Sequence, residues 1–389
     1  MNFSVLDEKF MQTALELGWQ GRFSTSPNPR VGCVITQGEQ IVGQGFHVYT
    51  GEPHAEIHAL SQAGRFAVGA TAYVTLEPCS HTGRTGPCAQ ALIDAGITRV
   101  VMAMTDPNPL VQGRGKTMLE NAGIHVSTGL YAERARALNL GFLSRIERQR
   151  PYIRMKVAAT LDSKTALSNG DSKWITGSAA RDSVQTLRAE SCAVLTGINT
   201  VLADNPQLNV RRFPTIRQPI RIILDSNLRL TVNHHVISDC NSPTLIITIV
   251  DDEDKKAIFA PYDHVSVVTL PADHQGRIKL DQLWPILVQH QIGMILVEAG
   301  LTINSALLKS NVVDEIIYYQ APKFLGQSAQ NAFSLAENPQ ALHQNEWQTL
   351  ALDLIGADCC WQLQHAKSAA WAKGLLIDGH NGCNLKDSA

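Results

Sequence analysis

The chain has 389 residues, 44% apolar and 17% charged, the profile of a globular protein long enough for two or three cores. Its formal net charge is -2, so no global basic field argues for a nucleic-acid partner. No run of about 18 apolar residues suggests a membrane span, and the opening MNFSVLDEKFMQTALELGWQ reads as an amphipathic helix rather than a signal peptide.

These features lead us to expect a cytoplasmic chain, in a compartment where stable disulfides are rare. Its eight cysteines (33, 79, 88, 192, 240, 359, 360 and 383) show no framework spacing. In chain order, residues 10–20 read as a helix, and VGCVIT (31–36) with IVGQGFH (41–47) as a hairpin. HAEIHALSQAG (54–64) is helical, TAYVTLE (71–77) a strand and CAQALIDAG (88–96) a helix. RVVMAMTD (99–106) is again a strand, followed by the helix GKTMLENAG (115–123). Such alternation implies a sheet with helices on its faces.

RIERQRP (145–151), charged and closed by proline, marks the domain boundary. Beyond it YIRMKVAAT (152–160), CAVLTGI (192–198), PIRIILD (219–225), TLIITIV (244–250), MILVEAG (294–300) and DEIIYYQAPKFLG (314–326) read as strands. Most are the fully apolar runs that suit central parallel strands. The expected organisation is α/β throughout, with domains at 1–147 and 151–366 and a weakly patterned tail at 367–389.

Chemistry enters at Cys79 and Cys88. Cys79 follows Pro78 at the end of a strand and Cys88 opens a helix, so both thiols stand at loop-side positions. His54 lies in the first turn of another helix, after Pro53. One imidazole and two thiolates give Zn²⁺ three protein ligands and leave the fourth position for water, which suits a catalytic rather than a structural metal. Glu56, two residues on, shares no helical face with His54 in mid-helix, so both address one water only at the helix start. Zinc brings its water toward a neutral pKa, and a carboxylate beside it shuttles the proton. The H-x-E and P-C-x8-C arrangement is that of zinc-dependent nucleobase deaminases. Alone, His54 would read as a helix-end histidine. His54 and His58 have the four-residue spacing of a metalloprotease pair, but Ala55 stands where that motif needs glutamate. Cys33 and Cys192, in apolar runs, read as small core residues.

NPRVG (28–32), GFH (45–47), PHAEIHAL (53–60) and PCSHTGRTGPC (78–88) resemble the deaminase domain of the RibD family, the bifunctional deaminases and reductases of riboflavin biosynthesis. Editing deaminases of nucleic acid usually carry C-x2-C, so the longer loop favours RibD. The resemblance implies a three-layer α/β/α, cytidine-deaminase-like domain in which Asn28, His47 and His81 contact the pyrimidine. The family often has proline where Gly86 stands.

RMKVAATLDSKTA (154–166), KWITG (173–177), LRAESCAVLTGINTVLADNPQLNVR (187–211), ILDSNLR (223–229) and VEAGLTINSALL (297–308) resemble the reductase domain of the same family, of dihydrofolate-reductase-like fold and using NADPH. By that resemblance Ala158, Trp174, Thr200, Asp204, Ser226, Gly300, Leu301 and Thr302 line the cofactor site. Ser172, Arg188, Leu208, Arg211 and Glu298 join at the substrate, with the arginines at its phosphate. The single glycine of VEAGL is no Rossmann fingerprint, and Asp204 before Asn205-Pro206 equally suits an ordinary turn. Two positions depart from the family: Ser163 and Leu301 stand where it usually has glycine, or glycine or proline. Lys156 and Lys164 receive no role.

The leading expectation is therefore an enzyme that deaminates a phosphoribosylamino-pyrimidine and then reduces its ribosyl group, with Zn²⁺, NADPH and assembly into a dimer or tetramer. The alternatives are a transfer-RNA or other nucleic-acid deaminase, which needs a basic, aromatic-lined groove, and a zinc-stabilised binding module. The second needs a fourth protein ligand, for which His81 is the nearby candidate.

Overall fold

The first helix, α1 (Val5–Gln20), begins where Ser4 and Asp7 form a capping box, each side chain accepting the other's backbone N–H. Its buried stripe of Phe10, Met11, Ala14 and Leu15 repeats at helical spacing and sets it against a sheet. The computed structural model describes residues 3–80, 86–109, 111–342 and 346–375.

The first sheet consists of β1 (Gly32–Gln37), β2 (Gln40–Phe46), β3 (Thr71–Val74), β4 (Arg99–Met102) and β5 (His125–Thr128), in the order β2-β1-β3-β4-β5. The β1/β2 hairpin is antiparallel, as is β1 with β3, while β3, β4 and β5 run parallel. Side chains alternate between its faces. Val34, Tyr73 and Val101 pack with α1. Cys33, Ile35, Val74, Val100 and Met102 pack with α2 (Ala55–Ala63), α3 (Cys88–Asp94) and α4 (Arg114–Asn121). The result is three layers, closed by α5 (Ala132–Leu138) and α6 (Leu140–Glu147).

The second domain has β6 (Tyr152–Thr160), β7 (Lys164–Ala166), α7 (Ser178–Glu190), β8 (Ala193–Gly197), α8 (Ile198–Asp204), β9 (Ile220–Leu224) and α9 (His235–Ser238). There follow β10 (Thr244–Thr248), α10 (Glu253–Ala257), β11 (Val265–Thr269), α11 (Leu280–Gln289), β12 (Met294–Val297), α12 (Leu301–Lys309), β13 (Glu315–Ala321) and β14 (Gln330–Asn331). The chain then forms the hairpin β15 (Trp347–Ile355) and β16 (Asp358–His365), and ends its described part in α13 (Ala366–Ala372). Among the described residues the large sheet has the order β11-β10-β9-β8-β12-β6-β13-β16-β15, parallel from β11 to β13 and antiparallel beyond. The parallel strands β8, β9, β10 and β12 are nearly all buried, which is why they are mostly apolar, the buried Arg221 of β9 being paired with Asp239.

Several features differ from the reading of the sequence, among them the short strands β5, β7, β11 and β14, which are not among the expected strands. The β15–β16 hairpin is also not among the expected strands, because seven of its seventeen strand residues are polar and its pairing partner β13 lies far away in sequence. The tail, weakly patterned from residue 367, begins instead as α13. Its Trp371 is 1% exposed and donates to Glu147 at 2.8 Å, and Arg136 bonds the Ala372 carbonyl at 3.1 Å. One tryptophan with few apolar neighbours gives no periodic signal, yet it finds a ready pocket.

The domains meet through polar groups as well as core. Asp314, fully buried, receives Arg148 at 2.6 Å, Arg150 at 2.8 Å, Ile153 N–H at 2.8 Å and the Ser368 hydroxyl at 2.7 Å. Arg30 reaches the carbonyls of Leu138 and Glu190, and Phe23 meets Phe213 with ring centres 5.6 Å apart.

Candidate functional site

The strand β3 ends at Val74, but its extension stays fixed. The Glu77 N–H donates to Met104 O, and the buried Glu77 carboxylate accepts the N–H groups of Asp106, Gly113 and Lys116 at 3.0–3.1 Å. That carboxylate holds the turn at Pro78 against α4, where a Cβ on Gly115 would come within 2.0 Å of the Pro78 carbonyl. Cys79 is thereby presented to Cys88, the first residue of α3, whose N–H donates to Cys79 Sγ at 3.3 Å.

His54 is the N-cap of α2, with extended backbone (φ -73°, ψ 167°), and Glu56 lies in the first turn. Leaving the helical path at His54 is what lets residues two apart face one point. His54 Nδ1 lies 3.3 Å from Cys88 Sγ and 3.6 Å from Cys79 Sγ, and the three donor atoms all fall within 4.8 Å of one another. His58 is not among them.

The charges of this cluster fit a dication. The hydrogen bond from the Cys88 thiol holds the Cys79 thiol well below the usual thiol range despite burial, with His54 adding to the effect. The same bond pushes Cys88 up, as do burial and Glu56. Two thiols thus share one proton, and a metal ion in their midst would let both ionise. Burial raises the Glu56 carboxyl, 3% exposed, to about 7, with the Cys79 thiolate adding to the rise. His47 Nδ1 faces the Pro53 carbonyl at 3.3 Å, so its Nε2 accepts from Asn28 Nδ2 at 3.2 Å. Burial holds His47 below its usual pKa, and its ring meets His54 edge-on at 5.3 Å. His81, the third expected substrate contact, lies outside the described residues.

In the second domain the carboxyl ends of the parallel strands open into a cleft of about 1570 Å³. Every cofactor and substrate residue expected of this domain lines it: Ala158, Ser172, Trp174, Arg188, Thr200, Asp204, Leu208, Arg211, Ser226, Glu298, Gly300, Leu301 and Thr302. Gly300 caps α12 in extended conformation with open space where a Cβ would stand, so the helix's first amides are reachable by an anionic group. Asp225 Oδ1 and Asn304 Oδ1, on buried side chains of the lining, find no protein hydrogen bond among the described residues. The cleft therefore has the room and the unused polar atoms that a dinucleotide needs.

Arg188 is more committed than its sequence suggests. It grips Glu298 through two bonds, at 2.5 and 2.9 Å, and donates to Asn209 O at 3.0 Å. Arg211 makes one long bond, to Asn209 Oδ1 at 3.4 Å, and keeps its guanidinium toward the cleft. Asp204 pairs loosely with Lys173 at 3.5 Å. Lys156, given no role from sequence, lines the cleft, and burial lowers its pKa against the pull of Glu298. Its alternation along β6 is the signal that could have placed it there. Ser163 has φ 57°, the left-handed conformation that glycine adopts freely.

Comparison with known proteins follows the same division. The family described as cytidine and deoxycytidylate deaminase zinc-binding region matches residues 4–104, and the RibD C-terminal domain matches residues 151–355. The riboflavin biosynthesis protein RibD of Escherichia coli is 45% identical over 369 residues, covering 92% of this chain and 99% of that one. The solved structure of Acinetobacter baumannii RibD is 43% identical, with a TM-score of 0.85 over 93% of this chain and 99% of its own. A deaminase/reductase from Thermotoga maritima is 32% identical, with a TM-score of 0.82 and the same coverage.

Proposed function

This chain belongs to the RibD family of riboflavin biosynthesis proteins, and on that premise we propose which residues carry each of its two reactions. It is a bifunctional enzyme acting on small molecules: a hydrolytic diaminohydroxyphosphoribosylaminopyrimidine deaminase and an NADPH-dependent 5-amino-6-(5-phosphoribosylamino)uracil reductase. Its cofactors are Zn²⁺ and NADPH.

His54, Cys79 and Cys88 would hold the zinc ion, which when bound supplies the Lewis acidity that activates water near neutral pH. Glu56 takes a proton from the attacking water and delivers it to the amine that leaves as ammonia. Its burial suits both halves of that transfer. Asn28, tied to His47, keeps its amide oxygen for the pyrimidine, and His81 completes the contact. In the cleft NADPH supplies the hydride. Arg211 receives the substrate phosphate, while Arg188 fixes Glu298, which with Lys156 and Ser172 orients the sugar and base near Leu208. Ala158, Trp174, Thr200, Asp204, Ser226 and the Gly300–Thr302 turn hold the cofactor.

The carrying observation is the convergence of His54 Nδ1, Cys79 Sγ and Cys88 Sγ beside buried Glu56. We place the functional boundaries at 1–147 and 151–366, and the enzyme in the cytoplasm. No helix among the described residues is long and apolar enough to cross a membrane. We further propose a homo-oligomer joined at the edge strand β15, where Leu350, Leu352 and Leu354 are 51, 53 and 77% exposed. An apolar edge of this length invites pairing with a second copy.

The deciding assay supplies the diaminopyrimidine substrate with and without NADPH, following ammonia and the absorbance of NADPH together. Ammonia should appear without NADPH, stop after chelation of the metal, and return with zinc. Oxidation of NADPH should follow ammonia release. Undiminished ammonia release by metal-free protein would refute the assignment.

A further inference from the structure

One wall of the reductase cleft is built without helix or strand. Gly170, Ser172, Lys173, Trp174, Ile175 and Thr176 line it, between β7 and α7. Backbone polar groups in such a segment need partners from elsewhere. Local turns supply the first part, with the Ile175 N–H donating to Ser172 O at 3.1 Å and the Lys173 N–H to Asp171 at 3.2 Å.

The four consecutive residues 174–177 are held instead by three side chains that back the wall. Lys323 Nζ donates to the carbonyls of Trp174 and Ile175 at 2.9 and 2.7 Å. Arg181 donates to Thr176 O at 2.7 Å and stacks 4.3 Å from the Trp174 ring. Asp358, 2% exposed, accepts the Gly177 N–H at 2.7 Å, at the N-terminus of α7 where a negative charge is favoured. Lys323 and Asp358 do not line the cleft, and each is itself anchored. Lys323 O accepts the Leu161 N–H at 2.9 Å, and the amides of Leu325 and Gly326 close on the Asp162 carboxylate. Asp358 opens β16 within the large sheet.

We infer that Lys323 and Asp358 are positioning residues of the reductase half, holding the Trp174 wall at the height that the cofactor requires. The inference rests on the reading that Trp174 lines the NADPH site. Without Lys323, two carbonyls turn to water and the wall samples conformations that cofactor binding must then re-order, so apparent affinity falls by the fraction of competent wall. Chemistry after binding is spared.

The test compares Lys323→Met, Asp358→Ala, Asp358→Asn and Trp174→Ala in the full-length enzyme. Lys323→Met should raise KM for NADPH about tenfold, in line with the loss of charge-assisted hydrogen bonds, with kcat within about twofold and ammonia release unchanged. Asp358→Ala should act in the same direction. Asp358→Asn should restore it, since the amide oxygen still accepts the Gly177 N–H. Trp174→Ala checks the underlying reading and should raise KM at least as far. If Trp174→Ala weakens NADPH binding while Lys323→Met and Asp358→Ala do not, the inference is overturned and the reading stands. If Trp174→Ala leaves NADPH binding unchanged, the reading falls and the inference with it. Equal loss of ammonia release and NADPH oxidation in Lys323→Met would mark general damage and also overturn it.

Discussion

In the first domain the reacting groups crowd within 4.8 Å at the ends of three elements, whereas in the second they ring a cleft of about 1570 Å³. The crowded site gathers His54, Glu56, Cys79 and Cys88 from short local motifs, each at a helix start or just past a strand. The open site draws on β6, α7, α8, β9, β12 and α12 and depends on pairs such as Arg188 with Glu298, distant in sequence. The difference follows from what each reaction asks. Activating one water requires a tight, buried, charge-balanced point, whereas hydride transfer requires two large molecules to lie in register.

The contrast can be broken most sharply at Glu56. Glu56→Gln keeps the shape and the three candidate ligands but removes the proton carrier, so ammonia release should fall about a thousandfold while bound zinc, measured by metal analysis, stays. Reduction of the deaminated substrate should be untouched. Unchanged deamination would end the assignment of Glu56. The converse experiment is Arg211→Ala, expected to lower kcat/KM for the phosphorylated reductase substrate roughly 10- to 100-fold with ammonia release intact. Equal loss of both activities would mean that the sites are not independent. The smallest effect lies at Ser163. Its left-handed backbone costs about 1 kcal/mol against glycine, so Ser163→Gly should raise the melting temperature slightly, with NADPH oxidation retained. A lower melting temperature would show that the hydroxyl contact with Tyr318, at 3.2 Å, outweighs the strain.

Legibility in the sequence divides along the same line. The first site is readable because its spacing rules act over a few residues: a proline before His54, C-x8-C across a strand and a helix, a glutamate two residues on. The central strands of both sheets are readable as apolar runs. What escapes is non-local. Asp358 and Lys323 carry no signal of their role until the fold brings Gly177 and Trp174 to them, and the pairing of Arg188 with Glu298 spans 110 residues of sequence. The hairpin at 347–365 escapes because it is not a fully apolar run like the central strands, and its neighbour in the sheet, β13, is separated from it by the segment around β14. Ser163 can be questioned from sequence only by comparison with a family that prefers glycine there.

The helix α13 carries a consequence for the order of synthesis. It is made after the strands of both domains, yet Trp371 closes on Glu147 and Arg136 of the first domain, and Ser368 on Asp314 beside Arg148 and Arg150. A nascent chain can complete its deaminase sheet while the ribosome is still translating the reductase, but the seam between them gains these bonds only when residues 366–372 emerge. A stop codon before residue 366 would spare the strands of both sheets and the bonds from Arg30 and Arg148 across the seam, but remove those made by Ser368 and Trp371.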